Sequence, residues 1–304
     1  MLNQKSFWKR FIKDYELHLL VLPGLAVLLI FKYLPMYGIV MAFQNFNPGK
    51  GIFGSDWVGF KHIIDYFEDP YFYRTMRNTF LLGFYTLLFS FPAPIILALL
   101  FNEIRNRIFK RVVQTISYMP YFLSTVIVVG LVIEYTNLSE GLINNIIEML
   151  GGQRINFFAL TRWFRPLYIL SGIWQGVGFG TIIYLAALSG VDEELYEAAV
   201  IDGAGRFKQM RYITLPGITP TITIMLILAV GGILGNDFQK ILLMYRPGLY
   251  EVADVVSTYV YRAGIEGANY SYSTAIGLFL SVVSFVFLYS TNKISKKFGD
   301  TYLW

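Results

Sequence analysis

The sequence predicts an all-α membrane protein with six transmembrane helices. Apolar residues make up 55% of its 304 positions, and Asp, Glu, Lys and Arg together only 15%. A soluble domain carries about 25% charged residues, so this chain lacks the polar atoms to cover a water-facing surface. Mean hydropathy is +0.52. Charge-free runs recur along the chain, each long enough to cross a hydrocarbon core that takes about 20 residues. They cover 78–102, 112–133, 166–191, 212–236 and 267–292, and a further run over 17–41 is broken once, by Lys32.

Residues 1–16 precede the first span. Phe7, Trp8, Phe11, Ile12 and Tyr15 recur at helical spacing, with Lys5, Lys9, Arg10 and Lys13 between them, the pattern of a helix lying along the inner leaflet. A basic stretch before an apolar one also fits a cleaved signal peptide. No small-residue cleavage site follows soon after, so an uncleaved first helix is expected. Lys32 falls in the outer half of that helix near Tyr33 and Tyr37, where a lysine can snorkel to the interface instead of marking a polar pathway.

The second span contains Pro92 and Pro94 and the third Pro120; each removes a backbone donor and invites a kink. Gly172, Gly176 and Gly180 recur every four residues in the fourth span, with Ala187 near the same stripe, and Gly231 and Gly235 repeat the device in the fifth. Small residues so spaced let another helix approach closely, or they reflect chance in a chain with 27 glycines. The remainder is a tail, 293–304.

Six spans put both termini on one side, and the positive-inside rule selects the cytoplasm. With that orientation the inside segments 1–16, 102–111, 192–216 and 293–304 hold 14 Lys/Arg against 9 Asp/Glu, and the outside segments hold 11 of each. The whole net charge of +5 therefore falls on the cytoplasmic face. The basic pI near 9.1 is then a topology and lipid-headgroup signal, with no nucleic-acid partner required.

Little chemistry is encoded. Cysteine is absent and the only histidines are His18 and His62, which excludes disulfides, thiolate metal sites and cysteine nucleophiles. No metal site is expected. Neither HExxH nor GxSxG occurs, and no GxxxxGK[ST] phosphate loop is present, so the chain does not bind ATP in that way. Trp174 and Gln175 lie on the fourth span; Asn236, Asp237 and Gln239 cluster at the outer end of the fifth. Polar groups beside aromatic rings at membrane depth are what a sugar pathway needs; the other reading is that they satisfy one another or end a helix.

Segment 192–216, DEELYEAAVIDGAGRFKQMRYITLP, is the most informative. Asp192 suits an N-cap, and Glu193 and Glu194 in the first turn complement the helix dipole. Asp202-Gly203 then breaks the helix. A second short element runs from Phe207 to Ile213, and Pro216 opens the fifth span where a missing donor costs nothing. Such a projecting, alanine-rich element is either a docking surface for a soluble partner or an ordinary solvated hairpin.

The run Glu197-Ala198-Ala199-Val200-Ile201-Asp202-Gly203-Ala204, followed by Phe207 and Ile213-Thr214-Leu215-Pro216, resembles the EAA signature of permeases of ABC importers. Tyr37-Gly38, Pro120-Tyr121-Phe122, Trp163-Phe164-Arg165, Trp174-Gln175, Tyr184 to Leu188, Tyr259 to Arg262 and Tyr270-Ser271-Tyr272 are similar to the maltose-type family, in its oligosaccharide and polysaccharide branch that includes alginate importers. The resemblance implies a type I importer permease fold in a bacterial cytoplasmic membrane, with 17–292 as the permease domain. It implies a second related permease, two ATPase subunits that hold ATP and Mg, an extracellular sugar-binding protein and an oligosaccharide substrate. This chain would bind no cofactor of its own. Glu197, Ala198, Ala199, Asp202, Gly203, Ala204 and Phe207 would form the coupling surface, with Glu197 as an ion-pair partner and Gly203 as the turn that lets it fit. Two other readings compete. A self-sufficient secondary transporter or channel would need charges inside the spans for ion coupling, and only Lys32 is there. An intramembrane enzyme would need positioned acid–base groups, and no carboxylate pair lies within a span.

Overall fold

The computed structural model describes residues 13–298 and 301–303. The interfacial helix expected over 1–16 therefore lies largely outside the described residues. The helices are α1 (Tyr15–Leu28), α2 (Lys61–Glu68), α3 (Phe72–Ser90), α4 (Pro92–Glu103), α5 (Arg107–Tyr118), α6 (Thr125–Tyr135), α7 (Leu142–Met149), α8 (Thr161–Leu188), α9 (Glu193–Ile201), α10 (Arg206–Gln209), α11 (Leu215–Gly231), α12 (Phe238–Met244), α13 (Tyr250–Ala253), α14 (Val256–Tyr261) and α15 (Tyr270–Phe298). α1 continues through a π turn and tighter-wound turns to Phe43, and a π turn over Met210–Thr214 joins α10 to α11.

Among the described residues, five helical segments are long and apolar enough to span a membrane: Tyr15–Phe43, Phe72–Glu103, Thr161–Leu188, Arg206–Gly231 and Tyr270–Lys297. The third expected span is not a single rod. Arg107–Phe122 and Thr125–Tyr135 meet at 101°; counted as one crossing, the pair brings the number to six. Pro120 opens the tight turn Met119–Phe122, Leu123 is extended, and the Ser124 hydroxyl accepts from the Ile127 N–H at 3.4 Å to start α6. A proline can neither donate nor continue the helix, so the kink expected at Pro120 is a full corner.

The described residues form two compact units, one within 1–67 with 263–278 and the other within 68–262 with 279–304. In the first, Gln44–Asn45 and Asp56–Trp57 pair antiparallel as β1 and β2. The Phe46 N–H donates to Ser271 Oγ at 2.8 Å, His62 Nε2 lies 3.1 Å from the Gln44 carbonyl, and Tyr66 packs edge-on to Tyr272. No residue of α1 is buried, and Lys32 beyond it is exposed.

In the second unit α8 runs the length of the core. Near its start Phe164, Tyr168 and Ile169 pack with Leu82, Val129, Ile241 and Met244; near its end Tyr184 and Leu188 pack with Ile95, Ala98 and Ile218. The segment after α11 is tied to α3 by Asp254, whose side chain is wholly buried. Its carboxylate accepts from Arg74 at 2.8 Å, from Arg262 at 2.8 and 2.9 Å, from the Tyr245 hydroxyl at 2.8 Å and from Thr258 at 3.0 Å. Burial works to raise this carboxyl. The hydrogen bonds from Arg262, Tyr245 and Arg74 outweigh it and hold the group below its ordinary value. Asn78 Nδ2 adds bonds to the carbonyls of Glu251 and Asp254.

Candidate functional site

Segment 192–216 folds as a capped helix with a defined end. The Asp192 carboxylate accepts from the Glu194 N–H at 3.0 Å, closing the start of α9 as an N-cap does. At the other end Gly203 takes φ +75°. Its N–H donates to the Val200 carbonyl at 3.0 Å and the Ala204 N–H to Ala199 at 2.8 Å. Those two bonds are a Schellman cap, so the Asp202-Gly203 break has a specific geometry. The Tyr196 hydroxyl donates to Thr214 Oγ1 at 2.9 Å, Gln209 to the Ala204 carbonyl at 2.9 Å, and Arg206 stands 3.7 Å from Glu103 at the end of α4.

These braces leave one surface bare. Glu197, Ala198, Asp202, Gly203 and Phe207 are exposed, and Ala199 and Ala204 half-buried. Glu197 makes no ion pair among the described residues. Leu195, Val200 and Ile201 join Phe207 on the exposed side, Ile201 at 86% and Phe207 at 70%. Clustered apolar side chains rimmed by charge mark an interaction surface.

A second feature lies between α3, α8 and the segment after α11. A cavity of about 500 Å³ is lined by Thr86, Ser90, Tyr168, Asn236 and Asp237, among others. A neighbouring one of about 350 Å³ shares Thr86, Ser90, Tyr168 and Asp237 and adds Tyr121, Gln175 and Lys240. α11 stops at Gly231 instead of running to Asn236, so Asn236 and Asp237 sit in a break between two helices. Asn236 Nδ2 donates to the Thr79 carbonyl at 3.2 Å. The Asp237 N–H donates to the Tyr168 hydroxyl at 3.0 Å, and its carboxylate caps α12 by accepting from the Lys240 N–H at 3.0 Å. Gln175 Nε2 donates to Leu123 at 3.0 Å, satisfying a carbonyl freed by the corner between α5 and α6.

The structure thus brings Gln175, Asn236 and Asp237 together and leaves two residues aside. Trp174 is 46% exposed and Gln239 is exposed; neither lines these cavities. The glycine stripe is a packing seam only in part, at Gly180 beside Pro94 of α4. Gly172 and Gly176 line the smaller cavity and Gly180 the larger. A Cβ on Gly176 would meet nothing within 4 Å, and one on Gly180 would meet Pro94 at 3.1 Å. The tight crossing is at Gly178, where a Cβ would collide with the Ser117 carbonyl oxygen of α5; of the second pair, Gly231 abuts Leu288 and Gly235 meets no other helix. Tyr168, Thr86 and Lys240 were not among the expected site residues. The spacing Asp237-x-x-Lys240, a cap followed by a cation one turn on, was the available signal.

A multi-pass helical bundle with an exposed projecting loop and a polar cleft between its helices has the architecture of a membrane permease. Residues 90–299 match the family described as "Binding-protein-dependent transport system inner membrane component", and the chain belongs to that family. It is a permease component of such a system, in the bacterial inner membrane, and not an enzyme. It is 48% identical over 288 residues to Protein LplB of Bacillus subtilis (strain 168), covering 95% of this chain and 91% of that one. It is 47% identical over 298 residues to the polygalacturonan/rhamnogalacturonan transport system permease protein YteP of the same strain, covering 98% and 93%. A solved bacterial alginate ABC transporter, in complex with an alginate pentasaccharide-bound periplasmic protein, has a chain of 42% identity that superposes with a TM-score of 0.88 over 97% of this chain and 99% of its own.

Proposed function

We propose that this chain is one permease subunit of an ATP-driven importer of acidic oligosaccharides, forming half of the pathway with a second, related permease. Polygalacturonan and alginate, named for two of the similar proteins, are both polymers of uronic acids, and this supports the substrate class. An extracellular binding protein delivers the sugar, and two separate ATPase subunits hold ATP and Mg. Both termini and the 192–216 loop face the cytoplasm, where the excess of Lys/Arg falls. The permease domain is 17–292, flanked by 1–16 and 293–304.

The observation that carries the coupling role is the α9–α10 element: a helix capped at both ends, braced from behind by Tyr196 of α9 and Gln209 of α10, with Leu195, Glu197 and Ile201 of α9 and Phe207 of α10 presented to solvent. Closure of the ATPase pair would draw this element with it, and the rigid caps would pass the motion to α8 and α11. The test is reconstitution in vesicles with and without the ATPase. Uptake of an oligogalacturonide is expected only when the second permease, the ATPase and the binding protein are all present. Uptake by this chain without an ATPase would overturn the reading in favour of a self-sufficient transporter.

A further inference from the structure

The smaller cavity holds two polar groups whose bonding is incomplete. Lys240 is only 3% exposed, and its ammonium makes one hydrogen bond, to the Tyr168 carbonyl at 2.9 Å. Two of its three donors remain for a ligand. No carboxylate lies within ion-pair distance of it among the described residues. The Asp237 carboxylate is exposed and engaged as the cap of α12. Gly172 leaves the ammonium its room, since a Cβ there would stand 3.2 Å from Nζ. Thr86 contributes the second group, a buried hydroxyl with no hydrogen-bond partner among the described residues. A buried cation without an ion-pair partner in contact is costly and is retained where something charged comes to meet it.

We propose that Lys240 is the residue through which the cleft selects anionic sugars, its ammonium taking the carboxylate of a uronic-acid unit while the Thr86 hydroxyl bonds the same unit. This rests on the cleft being the pathway of an acidic-oligosaccharide importer, and adds the side chain that reads the acid group. One cation with a carboxylate nearby grips weakly, as a pathway requires: a transported species must bind well enough to enter and loosely enough to leave. Besides Lys240 and Asp237, the side chains of Tyr121 and Tyr168 also line this cavity.

The experiment uses the complete transporter in vesicles, offered an equimolar mixture of tetragalacturonate and its methyl ester. The ratio of acid to ester taken up is read for each variant. The binding protein is the same in every arm, and the ratio is independent of how much complex assembles. A change between variants therefore belongs to this chain. Lys240→Met is expected to lower the ratio at least tenfold, as loss of a charge-assisted hydrogen bond does. Lys240→Arg is expected to keep the preference for acid, and Asp237→Asn, which removes the opposing charge and keeps a capping oxygen, to raise the ratio. An unchanged ratio in Lys240→Met overturns the proposal, as does an unchanged ratio in Asp237→Asn should the Met variant fail to assemble. A wild-type complex that takes up neither sugar overturns the functional reading of the cleft, and the proposal with it.

Discussion

Replacing Gly203 isolates the backbone term in coupling. Gly203 has φ +75°, and a Cβ there would meet nothing within 4 Å. Sterics against neighbours therefore contribute nothing, and the whole cost of a side chain is the left-handed conformation itself. For an ordinary L-residue that is about 1–2 kcal/mol; Asn visits the region more readily, and a β-branched residue resists it most. The capped end of α9, with its bonds at 2.8 and 3.0 Å, would lose a factor of roughly 5 to 30 against its frayed alternatives. Transmission through the loop should fall in the order Gly, Asn, Ala, Val. The assay is ATP hydrolysis stimulated by the substrate-loaded binding protein, normalised to assembled complex. Asn is larger than Ala, so the two explanations predict opposite orders. If Asn proves worse than Ala, bulk at the docking surface governs; if all three match Gly, the cap has no part in coupling.

Four further outcomes follow from the packing. Asp254→Asn leaves Arg74 and Arg262 without their shared carboxylate. Breaking a buried pair costs about 3–5 kcal/mol, and the low end applies because the two guanidinium side chains keep 34% and 29% exposure; a clear fall in the thermal midpoint of the purified complex is expected, and an unchanged midpoint would contradict it. Because the folded-state carboxyl of Asp254 lies below its ordinary value, its contribution is present above about pH 4 and is lost as pH falls through the folded value, so this site gives no midpoint shift between pH 5 and 7. Gly178→Ala should force α5 and α8 apart and cost about 1–3 kcal/mol as overpacking does, whereas Gly176→Ala should leave the yield of monodisperse protein unaltered; the reverse pattern would place the crossing elsewhere. Phe207→Ala and Ile201→Ala, which remove exposed apolar surface, should weaken association with the ATPase without moving the midpoint, and a destabilised fold would mean these side chains are packed.

What could be read before folding, and what could not, divides by distance along the chain. The spans were legible because desolvating charge is costly, so a long run without any reports the membrane by itself. The 192–216 loop was legible because its cap, break and helix start lie within 25 residues, each fixed by its neighbours: Asp192 bonds two residues on, and Gly203 three residues back. The rest depends on partners far away. Asp254 meets Arg74 across 180 positions and Lys240 meets Tyr168 across 72, pairings no local pattern announces. Spacing singled out Gly172, Gly176 and Gly180 as a stripe, but spacing does not say which face a neighbour uses. The corner at Leu123 and Ser124 brings α5 against Gly178 and leaves the stripe lining the cleft. Lys240 shows the sharper limit. Asp237 ends the fifth apolar run, so by charge alone the segment beyond it reads as lying outside the membrane. The chain instead stops α11 at Gly231, restarts α12 on the Asp237 cap and folds a cation back against Tyr168 of α8. The criterion that finds the helices, that charge and hydrocarbon do not mix, sets aside the one charge this cleft buries.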